Sequence, residues 1–408
     1  MAGPLSHLRV LDLSRVLAGP WAGQILADLG AEVIKVERPG SGDDTRGWGP
    51  PFLKDRSGQE TRESAYYLSA NRGKQSLAVD ITTPAGQEII RKLAARSDIL
   101  LENYKVGGLK KYGLDYPALA KINDRLIYCS ITGFGQTGPY KDRAGYDFLL
   151  QGMGGLMSIT GEPDSRPGGG PMKVGVAIVD VMTGMYAAVA VLAALAHRER
   201  TGKGDHIDLA LLDVQVATLA NQAMNSLVGG VVPGRLGNAH PNIVPYQAFA
   251  TAEGHLILAI GNDQQFARFC AIAGVPELAL DPRFATNAAR VKNRDIIVGR
   301  IAELMAARPA AEWLILLEKE GVPCGPINTI DQVFADPQVL YRGLKIDLPH
   351  PSAGEVPAVK SPINFRNTDL NYDAAAPLLG AHTERVLRDL GYGEADIAAL
   401  IAAGVIGD

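Results

Sequence analysis

Short apolar runs alternating with amphipathic stretches fill the first two hundred residues. Residues 8–13 form an apolar run that reads as a strand, followed by a turn over 14–21 and a helix over 22–29. Gly30 closes that helix, since glycine tolerates the left-handed geometry just past a helix end. A second strand covers 31–37, and strand signals recur at 75–79, 98–103 and 125–131. A helix over 84–95 opens on Pro84, which suits a first turn whose N–H has no helical partner. This alternation predicts parallel pairing through crossover helices, hence an α/β fold with a Rossmann-like sheet.

Residues 174–185 break the rhythm. They are apolar except for Asp180 and Thr183, and strong helix formers follow as far as His197. A Gly/Pro-rich loop over 161–171 precedes them. The pattern predicts a loop that delivers a short buried segment, then a helix starting near Asp180. A lone carboxylate at the positive end of a helix has two readings. It is a buried N-cap, or a reactive acid whose ionisation follows its apolar surroundings. The longest apolar run, 181–196, is shorter than the roughly 18 residues a bilayer span needs, so it reads as a buried helix and no membrane association is expected.

Past residue 200 the pattern changes. Residues 246–260 alternate as an antiparallel hairpin turning at 252–254, and helices are expected over 264–273, 290–307 and 310–320. The reading is a large domain from 1–200 and 335–408, a smaller α+β domain over 226–330, and linkers at 201–225 and 331–334.

Composition narrows the chemistry. Of 408 residues, 47% are apolar and 21% charged, the proportions of a soluble globular protein. A formal charge of −4 with no Lys/Arg block argues against nucleic acid, so an anionic ligand needs local cations. Three dispersed cysteines, Cys129, Cys270 and Cys324, make neither a disulfide framework nor a zinc spacing. With no basic region leading an apolar core at the N-terminus, a cytoplasmic location is expected.

Familiar catalytic signatures are missing: there is no Gly-x-Ser-x-Gly elbow, Walker loop or His-Glu-x-x-His helix. The first turn carries only Gly19 and Gly23, short of a dinucleotide fingerprint. Gly133-Phe-Gly-Gln-Thr-Gly138 matches its letters, but Pro139-Tyr-Lys-Asp-Arg143 follows where an apolar helix should. Glu37 ends the second strand where a ribose-binding acid would sit, with the phosphate-suited Arg38 directly after it. What remains is carboxylate chemistry at a helix start, glycine-rich loops and cations near strand ends.

On a set of dispersed motifs the chain resembles the class III CoA-transferases, the family of formyl-CoA transferase, carnitine CoA-transferases and α-methylacyl-CoA racemase. The motifs are Val10-Leu-Asp-Leu13, Leu17-Ala-Gly-Pro20, Leu29-Gly-Ala-Glu-Val-Ile-Lys-Val-Glu-Arg-Pro-Gly-Ser-Gly-Asp43, Glu102-Asn103, Gly145-Tyr-Asp147, Asp180-x-x-Thr-Gly184 and Pro377-Leu-Leu-Gly-Ala-His-Thr383. The resemblance implies a Rossmann-like domain built from both chain ends, a small middle domain and an interlocked homodimer. It also implies that no cofactor is retained and that coenzyme A is a substrate. Three further stretches, 43–52, 240–249 and 261–266, resemble the succinyl-CoA:glutarate branch. They imply succinyl-CoA as donor and a small dicarboxylate, or a similarly shaped sulfinic acid such as 3-sulfinopropionate, as acceptor.

Residue by residue, the resemblance makes Asp180 the nucleophile. Leu17 and Ala18 flank the pantetheine arm, and Arg38 holds the nucleotide end. Val79, Asp80, Ile81 and Thr82 surround the adenine. Asn103, Tyr104 and Lys105 line the channel, with Lys111 in place of a family arginine or histidine and Ala144 in place of a lysine. Tyr146 stands where the racemase branch has its catalytic histidine. That removes one of the two acid/base groups racemisation needs and leaves a hydroxyl near Asp180; Asp147 is read as structural. Leu17 replaces the glutamine of formyl-CoA transferases, which argues against oxalate. Backbone N–H groups near Gly261 or Gly184 are candidates for the oxyanion. Arg15 or Arg46 would hold the acceptor's distal acid, and Asn238 and His240 would add hydrogen bonds.

Overall fold

A computed structural model describes residues 3–370 and 372–407. Six strands form one sheet: β1 (Arg9–Asp12), β2 (Glu32–Glu37), β3 (Lys74–Ala78), β4 (Ile99–Glu102), β5 (Ile127–Thr132) and β6 (His206–Ala210). Their order is β3-β2-β1-β4-β5-β6, and every neighbouring pair is parallel. Period-two alternation sends Leu11, Ile34 and Leu100 to one face and Val10, Val33, Ile99 and Leu101 to the other. A parallel sheet needs both faces covered. The first face is covered by Ile89, Ile90 and Leu93 of α2 (Pro84–Ala94) and by Val386, Leu387 and Ile397 from the chain's end. The second is covered by α1 (Ala18–Asp28) and by a long helix, α4 (Ile178–Thr201), through Ala22, Leu26, Val179, Ala187 and Val191.

The chain forms two compact units. One comprises Met1–Leu156, Val174–Met224 and Gln338–Asp408; the other comprises Met157–Lys173 and Asn225–Pro337. Residues 157–173, expected in the large domain, pack with the middle segment. Gly237 N donates to Gly161 O at 3.0 Å and Arg235 Nε to Glu162 O at 3.1 Å. A Gly/Pro loop has no periodicity to declare its partner. Residues 201–225, assigned as a linker, hold β6 and the helix Leu211–Thr218, in keeping with a sequence that alternates over 206–212 and then turns helical; the helix Ala220–Gly229 runs past them. Helix Ile330–Ala335 covers the expected 331–334 linker. The second unit has its own antiparallel sheet, ordered Cys324–Pro326, His255–Ala259, Tyr246–Ala250, over a core that includes Phe249, Phe266, Phe269 and Trp313.

Three local expectations change. The first helix begins at Ala18, four residues early, because Pro20 is accommodated within its first turn. The helix expected over 290–307 is two, Asn287–Lys292 and Arg294–Met305, parted at Asn293. Counting only 181–196 also understated α4. It is 24 residues long and contains an 18-residue window with a mean hydropathy of 2.0, long and apolar enough to cross a bilayer by length and composition, though here Val179, Ala187 and Val191 are buried in the core.

Candidate active site

The β1–α1 turn is built on buried charge. Asp12, wholly buried, accepts from Lys74 Nζ at 2.9 Å and from Ser14 N at 3.0 Å. Lys74 Nζ also donates to Pro20 O at 2.8 Å, and Lys35 pairs with Asp43 at 2.8 Å while donating to Ser14 O at 2.9 Å. Burial would raise the Asp12 carboxyl, but Lys74 and Lys35 outweigh it and hold it below the usual range. Burial brings Lys74 down to about 8 in spite of Asp12. On this platform Val16 takes φ +73°, a left-handed conformation that costs a β-branched residue energy. Its N–H is met at 3.3 Å by both Asp43 oxygens.

That turn forms one wall of a cavity of about 440 Å³. Arg15, Leu17 and Ala18 come from the turn after β1 and the start of α1, Asn103, Tyr104, Lys105 and Lys111 from beyond β4, and Thr132 and Gly133 from the end of β5 and the residue after it. The strand order reverses between β1 and β4, and in open α/β sheets ligands bind outside the carboxyl ends of strands at such a point. A second cavity, of about 230 Å³, also touches Arg15, Tyr104 and Tyr112 and is lined by Arg38, Val79, Asp80, Ile81 and Thr82. Asn103 joins the walls by accepting from Arg15 N at 2.9 Å and donating to Arg15 O at 2.6 Å.

Asp180 lies in the larger cavity with Tyr146. It is not the N-cap of α4: that position is Ala177, which has no side chain to offer. The cap comes from Asp147, the first residue of α3 (Asp147–Met153), whose Oδ2 accepts from Val179 N at 2.7 Å and from Asp180 N at 3.4 Å. Asp180 is therefore not a lone carboxylate. Burial, and then the charge of Asp147, push its carboxyl up to about 7. Tyr146 is 64% exposed and, among the described residues, donates no hydrogen bond to Asp180. Its place is set by a backbone crossing between Gly133 and Gly145, where a Cβ on Gly145 would lie 2.3 Å from Gly133 Cα. The other charged residues lining this cavity are cations, Arg15, Lys105, Lys111, Lys141 and Arg143.

The sequence model of CoA-transferase family III matches residues 5–383. The chain belongs to this family. It is 54% identical over 387 residues to a succinate–glutarate CoA-transferase of Agrobacterium fabrum, covering 95% of this chain and 96% of the relative. It is 47% identical over 404 residues to the Mus musculus succinyl-CoA:glutarate CoA-transferase, covering 99% and 90%. The crystal structure of a CaiB/BaiF family protein from Brucella suis superposes with a TM-score of 0.84 at 51% identity, covering 96% of this chain and all of that one. The protein is a family III CoA-transferase, and CoA is its substrate.

For a CoA-transferase the two cavities sort the expected residues. The larger holds Asp180, Leu17, Ala18, Asn103, Tyr104, Lys105, Lys111 and Tyr146; the smaller holds Arg38 and residues 79–82. Arg46 must be withdrawn. It is buried, its Nε and Nη2 bind Glu37, its Nη1 binds Glu63, and Nη2 also reaches the Tyr67 hydroxyl and Pro377 O. No donor is left for an acceptor acid. Glu37 lines the smaller cavity, but its carboxylate oxygens already accept from Arg46, Ser76 and Asp43 N. Gly261 N–H donates to Gln265 Oε1 at 2.8 Å, so it is not a free oxyanion donor. Gly184 is a packing glycine of α4, its missing Cβ leaving room for Ala18 O at 2.7 Å. His240 and Asn238, like Gly261, lie in the second unit, where His240 Nδ1 accepts from Asn242 N at 3.1 Å. Sequence reasoning missed Lys141 and Arg143. The signal is two cations in the five residues after Gly138, in a segment whose near-match to a dinucleotide fingerprint hides it.

Proposed function

We propose that this CoA-transferase moves CoA from succinyl-CoA to a small dicarboxylate such as glutarate, by covalent steps on Asp180. One observation carries the reading: among the described residues, Asp180 is the sole carboxylate on the wall of a cavity otherwise charged by five cations. The carboxylate attacks the thioester carbonyl, the C–S bond breaks, and CoA leaves as thiolate from a succinyl–aspartyl anhydride. The thiolate attacks the Asp180 carbonyl carbon, releasing succinate and forming an aspartyl-CoA thioester. The acceptor carboxylate attacks that thioester, again freeing thiolate and forming a mixed anhydride. Thiolate attack on the acceptor's carbonyl completes the new thioester and regenerates Asp180. Each step exchanges one activated acyl group for another, which divides one hard transfer into easier ones.

The surroundings suit this cycle. A carboxyl held up near 7 is a stronger nucleophile than an ordinary aspartate once ionised. Fixed cations stabilise the oxyanions and the departing thiolate. The smaller cavity, with Arg38 and residues 79–82, takes the nucleotide end of CoA. With Arg46 withdrawn, the acceptor's distal carboxylate falls to Arg15 or Arg143, both on the cavity wall. The working unit is a cytoplasmic homodimer. Met185, Tyr186, Val189 and Leu192 leave an exposed apolar stripe on α4 that a second copy would cover.

The test is incubation with succinyl-CoA and a panel of free acids, following new CoA esters by mass. Glutaryl-CoA should form, and 3-sulfinopropionate and oxalate should be poorer acceptors. Glutaryl-CoA formed at full rate by Asp180→Ala would overturn the mechanism, and a preference for oxalate would overturn the acceptor.

A further inference from the structure

Two side chains of α3 hold both ends of the segment that carries Asp180. At the far end, Asp147 Oδ2 receives the N–H groups of Val179 and Asp180, the first-turn donors that helix α4 leaves without internal partners. At the near end, Gln151 Oε1 accepts from Val174 N at 2.9 Å. The two are joined to each other, Gln151 Nε2 donating to Asp147 Oδ1 at 2.6 Å. They lie four residues apart on one helix and so share a face. Gln151 is wholly buried, and leaving its amide without partners would cost free energy.

We propose that Asp147 and Gln151 are a positioning clamp that fixes the backbone from Val174 to Asp180 and so aims the Asp180 carboxylate into the cavity. The inference rests on Asp180 being the nucleophile. A cap built from the residue's own helix would be indifferent to what lies around it. A cap reaching across from α3 ties the nucleophile to the same chain segment as Tyr146, whose place is set by the Gly133–Gly145 crossing. Reacting groups must be held within a fraction of an ångström for covalent transfer, and α4 supplies no cap of its own.

The clamp also places a charge. Asp180 is raised first by burial and then by the Asp147 carboxylate; the other charged groups on its cavity wall are Arg15, Lys105, Lys111, Lys141 and Arg143. Tyr66, from helix Ala65–Ala70, also feels Asp180 and Asp147, its phenol being raised by burial and then by both charges.

Asp147→Asn keeps an oxygen for the Val179 N–H but removes the charge. Its acid limb of kcat against pH should move down by about one unit, with KM for succinyl-CoA little changed. Gln151→Leu, similar in volume, loses both amide contacts. Its kcat should fall about tenfold or more, up to the roughly 100-fold that misplacement costs, with the acid limb where it was. Melting curves of both variants separate these effects from loss of fold, because a residue that served stability alone would lower the melting point without moving the pH limb or splitting kcat from KM. An unmoved acid limb in Asp147→Asn together with wild-type kcat in Gln151→Leu would overturn the clamp. Asp180→Asn separates the two ideas. Activity retained there sinks the nucleophile and the clamp together, whereas an inactive Asp180→Asn beside unperturbed clamp variants sinks the clamp alone.

Discussion

Arg46 and Glu37 form a two-pronged ion pair, Nε to Oε2 at 2.7 Å and Nη2 to Oε1 at 2.8 Å, with both side chains almost wholly removed from water. The Arg46 guanidinium also lies 3.7 Å from the centre of the Tyr67 ring. Breaking such a pair leaves a buried charge uncompensated. Arg46→Ala should therefore cost about 3–5 kcal/mol of stability in urea unfolding. Arg46→Lys should recover little, since an ammonium cannot reproduce the fork. Whatever folded enzyme remains should keep its KM for the diacid, because this arginine holds the fold and not the acceptor.

Asp180 should make the protein less stable as pH rises. Its carboxyl is raised by burial and by Asp147 from 3.8 to about 7. Between those values the folded chain keeps a proton that the unfolded chain has released, so the unfolded state binds fewer protons and stability falls through that window. Asp180→Asn should match the wild type near pH 4 and be more stable at pH 8. The gain should be on the order of 1–4 kcal/mol, with solvent screening favouring the lower end. Urea titrations at the two pH values check this; an equal gain at both would show that the acid is not strained by ionisation.

Gly184 lets α4 lie against α1. A Cβ there would meet Ala18 O at 2.7 Å and Trp21 Cβ at 2.9 Å, neither able to swing away freely. Gly184→Ala should cost about 1–3 kcal/mol, the usual penalty of overpacking. It should also lower kcat, because it separates the start of α1, with Leu17 and Ala18, from the helix that carries Asp180. Thermal melts and steady-state kinetics on the same preparation read both effects.

Arg143 is stacked 3.9 Å from the Tyr140 ring centre and has no ion pair among the described residues. Arg15, the other candidate, already pairs with Asp44 at 2.9 Å. Arg143→Gln is therefore expected to raise KM for glutarate by roughly 10- to 100-fold, the range for losing a charged hydrogen bond, while a monocarboxylate acceptor changes little. An equal effect on both acceptors, or a rise confined to the KM of succinyl-CoA, would move Arg143 to the CoA side.

The apolar stripe Met185, Tyr186, Val189 and Leu192 should be covered in solution. Sedimentation should find a species of twice the 43.3 kDa of one chain, and Val189→Glu should weaken it. A monomer at micromolar concentration would dismiss the dimer.

Much of the sheet was readable because parallel strands buried on both faces leave continuous apolar runs. β1, β2, β3, β4 and β5 all fall within a residue or two of the stretches that announced them. Residues 157–173 were misplaced because a loop held through the carbonyls of Gly161 and Glu162, by Gly237 N and Arg235 Nε, carries no pattern. Arg46 was misread for the opposite reason. Its neighbours Gly42, Asp43 and Asp44 look like a surface loop, and only the fold brings Glu37, Glu63 and Pro377 around it.

The division follows the range of the forces involved. Hydrophobic periodicity and turn chemistry act over a few residues, so the chain alone determined β1 to β5 of its parallel sheet, most of its helices, the hairpin at 246–260 and, through dispersed motifs, its family. Ionisation and hydrogen bonding depend on what stands opposite. Asp180 and Asp147 are 33 residues apart in the chain, and nothing local to either foretells that one caps the helix of the other. The tertiary structure alone decided that Asp180 is not the cap, that Arg46 is not free, and that Lys141 and Arg143 share a cavity with Asp180.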